Sequence, residues 1–207
     1  TSPSAALDIN GSINLYGQNG MTVNLTTGSI GIGRSAGGTG AGATSNTLVG
    51  DQAGMDITSA DYNSVFGYQA LQSSNAGLNA VFGYQAMQKS TGSSSNAAFG
   101  YQALQNDTGG SSSAFGYQAL QLNLGGANDA FGFQALQVNT SGSYNAAFGT
   151  YALTSNTTGG NNAAFGYLAL DSSDTAEHNS AFGYSALGGV SSGSYNSALG
   201  SYSGLDI

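Results

Sequence analysis

Residues 96–104 read Asn96-Ala97-Ala98-Phe99-Gly100-Tyr101-Gln102-Ala103-Leu104. The phrase returns along the chain with its glycine at Gly67, Gly83, Gly100, Gly116, Gly132, Gly149, Gly166, Gly183 and Gly200. Two weaker copies precede these, Ile32-Gly33-Arg34-Ser35-Ala36-Gly37 and Val49-Gly50-Asp51-Gln52-Ala53-Gly54. The steps between the eleven glycines are 17, 17, 16, 17, 16, 16, 17, 17, 17 and 17 residues. Residues 29–207 are therefore a tandem array, and internal repetition governs the fold before any local propensity does.

From four residues before the glycine to four after it, the unit keeps its length. Asn stands four before it in nine of eleven copies (Asn46, Asn63, Asn79, Asn96, Asn128, Asn145, Asn162, Asn179, Asn196). Phe precedes it in eight (Phe66, Phe82, Phe99, Phe115, Phe131, Phe148, Phe165, Phe182), and Ala stands three after it in ten. The one-residue slips fall between units, in stretches such as Ser-Thr-Gly-Ser-Ser-Ser at 90–95, which have turn composition.

A period of 16 or 17 is too short for a helix-turn-helix repeat, which needs about 33 residues. Two short strands and two turns fit it. The sequence predicts an all-β chain: a parallel β-solenoid, or β-roll, of about eleven coils. With one strand spacing of about 4.8 Å per coil, the rod is roughly 50 Å long. One coil cannot bury its own Phe and Leu, whereas stacked neighbours can.

Stacking explains the composition. Only 12 residues are charged at pH 7, Lys89, Arg34, nine Asp and one Glu, and 34 are Gly. A charge in the repeat would meet like charge on every adjacent coil, whereas Asn hydrogen-bonds and aromatic rings stack along such ladders. Asn63, Asn79, Asn96, Asn145, Asn162 and Asn179 are expected to form a structural ladder. Phe66, Phe82, Phe99, Phe115, Phe148, Phe165 and Phe182 are expected to form another, in the core. Tyr68, Tyr84, Tyr101, Tyr117, Tyr167 and Tyr184 follow the glycine, with Phe133 in the same place. If the glycine turns the chain, these rings point outward. They then serve either as a surface-binding row for sugar rings or as packing against a neighbouring chain or the roll edge. Ala before the Phe and Ala-Leu after the glycine exceed what a thin roll needs for its interior. A second buried face shared with other chains is expected, and three chains around the rod axis would satisfy it, although the number is not fixed.

The composition also excludes. Two basic residues make no electrostatic footprint for nucleic acid. The absence of Cys removes disulfides and thiolate metal sites. No run of 18 apolar residues occurs, so no helical membrane insertion is expected. The single histidine, His178, reads as a solvated turn residue. Asp171, Asp174 and Glu177 share one turn but match no calcium-loop spacing. No catalytic residue, cofactor site or metal site is expected, and the chain does not read as an enzyme.

The phrases Asn-Ser-Val-Phe-Gly at 63–67 and Asn-Ala-Ala-Phe-Gly at 96–100 resemble the Asn-Ser-Val-Ala-Ile-Gly phrase of trimeric autotransporter adhesin heads. The longer form, with Tyr-Gln-Ala-Leu, is similar to repeats of bacteriophage tail fibres. Thr-Ser-Pro-Ser-Ala-Ala-Leu-Asp-Ile-Asn-Gly-Ser-Ile at 1–13 resembles the linker-and-strand phrase of fibre proteins that end in an autocleaving chaperone. The unit here has one residue fewer before its glycine than the adhesin phrase. The resemblance implies a homotrimeric roll on a virion tail appendage or another extracellular surface. It also implies a role in rigid reach and multivalent attachment to a host glycan or protein. A bacterial surface adhesin or filament subunit is the alternative, and a carbohydrate- or ice-binding solenoid is a third.

Residues 1–28 lie outside the repeat. Leu7, Ile9, Ile13, Leu15, Val23 and Leu25 fall at odd positions, with Asn10-Gly11 and Asn19-Gly20 as turn signals. Two or three short antiparallel strands are expected there, joining the roll at 29–207 and capping its first coil.

Overall fold

A computed structural model describes residues 13–15, 21–26, 28–37 and 43–205. The turn signals at Asn10-Gly11 and Asn19-Gly20, and the positions Leu7 and Ile9, lie outside the described residues. The strands are β1 (Ile13–Leu15), β2 (Met21–Thr26), β3 (Ser29–Gly33), β4 (Thr47–Val49), β5 (Ser64–Phe66), β6 (Ala80–Phe82), β7 (Ala97–Phe99) and β8 (Asn106–Asp107). They continue as β9 (Ser113–Phe115), β10 (Leu122–Asn123), β11 (Asp129–Phe131), β12 (Ala146–Phe148), β13 (Ala163–Phe165), β14 (Ser180–Phe182) and β15 (Ser197–Leu199). Among the described residues there is no helix.

From β3 to β15, leaving out β8 and β10, eleven strands pair in parallel in one sheet. Each repeat meets its own copy: Phe82 lies beside Phe99, Phe99 beside Phe115, and Ala147 beside Ala164. The chain is a β-solenoid in which eleven strands are joined by ten turns of the coil. At the N-terminal end β1 pairs antiparallel with β2, and β2 with the outer edge of β3. The open edge of the first coil is thereby covered.

Each coil has one regular strand, not two. On the opposite side, among the described residues, only β8 and β10 pair as strands. Elsewhere the chain alternates left- and right-handed residues and still bonds coil to coil. Gln85 N–H donates to the Tyr68 carbonyl at 2.9 Å, while Leu71 N–H donates to the Ala86 carbonyl at 2.9 Å. The residue two after the ladder glycine thus donates towards the preceding coil, and the one four after it towards the next. The left-handed residues include Gln69 (φ 52°), Leu71 (φ 49°), Gln102 (φ 54°) and Leu104 (φ 51°). A left-handed non-glycine residue costs about 1–2 kcal/mol. The hydrogen bonds on both sides hold it there.

The ladder glycine is a steric requirement. From Gly67 to Gly183 its φ runs from 141° to 149°. A Cβ at these positions would stand 2.1–2.4 Å from the carbonyl oxygen of the next coil's glycine.

The interior is narrow. The Ala two before the glycine (Ala98, Ala114, Ala130) and the Ala-Leu pair after it (Ala103-Leu104, Ala119-Leu120, Ala135-Leu136) are completely buried. Leu from one side of the coil reaches the small Ala on the other, and this fills the space. No room remains for Phe, which corrects the expectation that the Phe column is core. Side chains alternate along a strand, so inward Ala forces Phe outward. Phe66 is 54% exposed and Phe165 is 36% exposed. Phe82, Phe115 and Phe182 are exposed as well, and Phe99 and Phe148 are half-buried. The rings still form a ladder, on the outer surface.

Candidate functional site

The outer Phe column is continuous from Phe66 to Phe182. Successive rings are near-parallel, with centroids 4.6–6.0 Å apart. The chain bends at the glycine, and beyond the bend stands a second outward column. Tyr68, Tyr84, Tyr101, Tyr117 and Phe133 stack at 5.0–5.2 Å. Tyr167 and Tyr184 resume it at 5.3 Å. At the break Thr150 holds the Tyr position, and Tyr151, one residue on, fills the gap edge-on to Phe133 and Tyr167. Tyr202 meets Tyr184 in the same way, and a hydrogen bond with Tyr184 pushes its phenol pKa up.

The stacking decides what these rings offer. Each ring's two faces are turned to its neighbours along the axis, so the column presents edges to solvent. A sugar that stacks on aromatic faces finds them largely taken by the rungs above and below. An exposed apolar strip suits another packed surface better.

Polar order lies inside and at one flank. Asn63, Asn79, Asn96, Asn145, Asn162 and Asn179 are buried or nearly so. The Asn63 Oδ1 accepts the Asn79 N–H at 3.0 Å, Asn145 Oδ1 accepts the Asn162 N–H at 3.0 Å, and Asn162 Oδ1 accepts the Asn179 N–H at 2.9 Å. The amide nitrogens of Asn79, Asn145, Asn162 and Asn179 donate to carbonyls of the turn, as Asn145 does to Gly159 at 2.8 Å, whereas Asn63 donates to Asn46 Oδ1 and Asn96 to Asp107 Oδ2. The ladder is structural.

Two further ladders were legible only as recurring letters. In the first, Gln85, Gln102, Gln118 and Gln134 each donate from Nε2 to the Oε1 one coil earlier, at 2.9–3.0 Å. Gln88, Gln105, Gln121 and Gln137 run beside them and cross-link to them, as Gln88 does to Gln69 at 2.8 Å. Their signal was the Gln-Ala-Leu-Gln spacing, which sets two amides three residues apart on the same side of the turn.

In the second, an inner column runs Asp107, Asn123, Asn139, Asn156 and Ser173, all completely buried. Asn123 Nδ2 donates to Asp107 Oδ1 at 2.7 Å, Asn139 to Asn123 Oδ1 at 2.8 Å, and Asn156 to Asn139 Oδ1 at 3.0 Å. The column then fails: Asn156 Oδ1 and Ser173 Oγ are buried without partners. Burial raises the Asp107 pKa above the ordinary carboxylate value, against hydrogen bonds from Ser93, Asn123, Gly109 and Gly110.

Among the described residues, charged groups do not converge. Arg34 and Asp51 follow the glycine in the first two coils and pair across adjacent rungs, with Arg34 Nε 3.1 Å from Asp51 Oδ1. Opposite charges are the one charged arrangement that such a column favours. His178 is exposed in a left-handed turn, stacked on Tyr195 at 4.8 Å. Among the described residues no three His, Asp or Glu side chains gather where a metal would sit, and Asp171, Asp174 and Glu177 stay dispersed. No family model, curated protein or solved structure matches the chain.

Proposed function

We propose that the chain is a structural segment of a phage tail fibre. It assembles as a homotrimer and gives rigid reach and multivalent attachment to a host surface. The carrying observation is the outer Phe column. The strip is formed by this column, the small residues beside it (Ala80, Ala97, Ala146, Ala163) and the rim at Tyr62, Leu78 and Tyr144. Its eight Phe rungs span about 34 Å, and at about 15 Å wide it covers roughly 500 Å², the size of apolar patch that commonly marks an interaction surface.

Charge is nearly absent from the strip, Asp129 being its one acid along the Phe rungs. Identical neutral strips repeat with the same spacing, so copies of the chain fit one another in register without like-charge opposition. Attachment then draws on many weak contacts along one rod.

Sedimentation of the chain at micromolar concentration tests the assembly. A trimer is expected, and the double substitution Phe99→Ser and Phe148→Ser should release folded monomers. A wild-type monomer sinks the proposal. The attachment role is tested by adding the trimer to a candidate host, where competition with phage adsorption is expected. The Asn-Ser-Val-Phe-Gly phrase at 63–67 favours a bacterial adhesin as the second reading. Binding of the trimer to animal cells rather than to bacteria would select it.

A further inference from the structure

Tyr68, Tyr84, Tyr101 and Tyr117 occupy four consecutive rungs. Their rings are within 15° of parallel, with centroids 5.0–5.2 Å apart. Backbone hydrogen bonds beside them fix the register: the Gln85, Gln102 and Gln118 N–H groups donate to the Tyr68, Tyr84 and Tyr101 carbonyls at 2.8–2.9 Å. All four rings are open to solvent, 39–44% exposed. Each phenol therefore has another phenol as its standing neighbour, in the same orientation, and both are open at the surface.

We infer that this column is a site of oxidative tyrosine coupling, which joins successive coils through carbon–carbon bonds. The oxidant class is hydrogen peroxide acting through a haem peroxidase. Two phenols each give up one electron and one proton. The two phenoxyl radicals combine through the ring carbons ortho to oxygen, forming one carbon–carbon bond. The hydrogens on those carbons move to the phenol oxygens as the rings regain aromaticity. Hydrogen peroxide takes up the two electrons and two protons and leaves as two waters. The product has lost two hydrogens and closes a loop of one coil. The rod is thereby stapled along its axis, whatever surface it serves.

Preorganisation sets the selectivity. Tyr62, Tyr144 and Tyr195 are more exposed, at 63%, 70% and 77%. None has a tyrosine on an adjacent rung: Ser45 and Leu78 flank Tyr62, Ala127 and Asn161 flank Tyr144, and His178 precedes Tyr195. Exposure favours these three residues and coupling between molecules. Stacking favours the column and coupling within one molecule, where the reacting groups are already held together.

The experiment mixes isotopically labelled and unlabelled chains, treats them with haem peroxidase and hydrogen peroxide, and maps the cross-linked peptides by mass. The expected peptides join Tyr68, Tyr84, Tyr101 and Tyr117 within one chain, in a yield independent of protein concentration. Tyr101→Phe keeps the stack but removes two of the three junctions, so yield from the run should fall about threefold. Tyr195→Phe should leave it unchanged. Cross-links between labelled and unlabelled chains, links mainly at Tyr62, Tyr144 and Tyr195, or no coupling in the column would each overturn the inference.

Discussion

At the ladder glycines a single methyl group meets two separate penalties. Gly116 has φ 146°, and a Cβ there would stand 2.3 Å from the Gly132 carbonyl oxygen. Gly200, in the last coil, has φ 119° and nothing within 4 Å of the same methyl. Gly200→Ala should therefore cost only the backbone term, about 1–3 kcal/mol. Gly116→Ala should cost clearly more, because backbone must move as well. Chemical denaturation of the two variants separates the terms, and equal losses would show that the close approach between coils is relieved at no cost.

Asp107 makes a second residue-scale prediction. Its folded pKa lies above the unfolded value, so its protonated form suits the fold best. Its contribution is full below the unfolded carboxylate value of about 3.9. It is lost as pH rises through the raised folded value. Asp107→Asn keeps an oxygen for Asn123 Nδ2 and removes the buried charge. The variant should melt higher than wild type at neutral pH, with the gap closing in acid. A gap of constant size from pH 4 to 7 would mean that Asp107 does not titrate in that window.

At the scale of the element, the inner column carries a pairing rule. Asn139 and Asn156 are each followed three residues later by glycine, at Gly142 and Gly159. A Cβ at Gly142 would stand 2.5 Å from Asn139 Oδ1, and one at Gly159 would stand 2.5 Å from Asn156 Oδ1. The amide, together with the next coil's carbonyl oxygen at 2.2 Å, occupies the space of the missing methyl. Ser173 is followed by Ala176, and there the column ends with two unpartnered oxygens. Ser173→Asn alone should collide with the Ala176 methyl. Ser173→Asn with Ala176→Gly should extend the ladder and stabilise by about 1 kcal/mol. The thermal stabilities of the two single variants and the double give the coupling directly, and an additive result would refute the rule.

The same element shows why some of the fold was legible and some was not. Period, parallel stacking and the Asn ladder follow from fixed spacing and chemical type, both written in the letters. The direction of Phe99 does not. Alternation places Ala98 and Phe99 on opposite faces but leaves open which face is inside. Size argues for Phe inside, and the depth of the coil, set by Leu104 reaching across it, decides for Ala. The second strand failed for a related reason. Residues such as Gln102 and Leu104 adopt left-handed φ because hydrogen bonds from two neighbouring coils impose it, and no local preference of Gln or Leu announces it. The Gln columns were hidden because their partners lie 16–20 residues away.

Across the whole molecule, each coil contacts mainly its neighbours, and stability is approximately a sum over coils and junctions. The variation between 16 and 17 residues sits in the polar return segment. The hydrogen-bonded part of one coil is therefore interchangeable with that of another. Deleting residues 101–116 should bring Tyr117 directly after Gly100 and leave a folded rod shorter by about one strand spacing, 4.8 Å. Circular dichroism and small-angle scattering check this, and a collapsed or aggregated product would show that the coils are not equivalent.

That interchangeability reaches back to the gene. Sixteen or seventeen codons, nearly repeated, are a substrate for unequal exchange, and each exchange adds or removes one whole rung without shifting the rest. Natural selection can thus tune the span of this rod in steps of a single β-strand, as a ruler is lengthened by whole divisions.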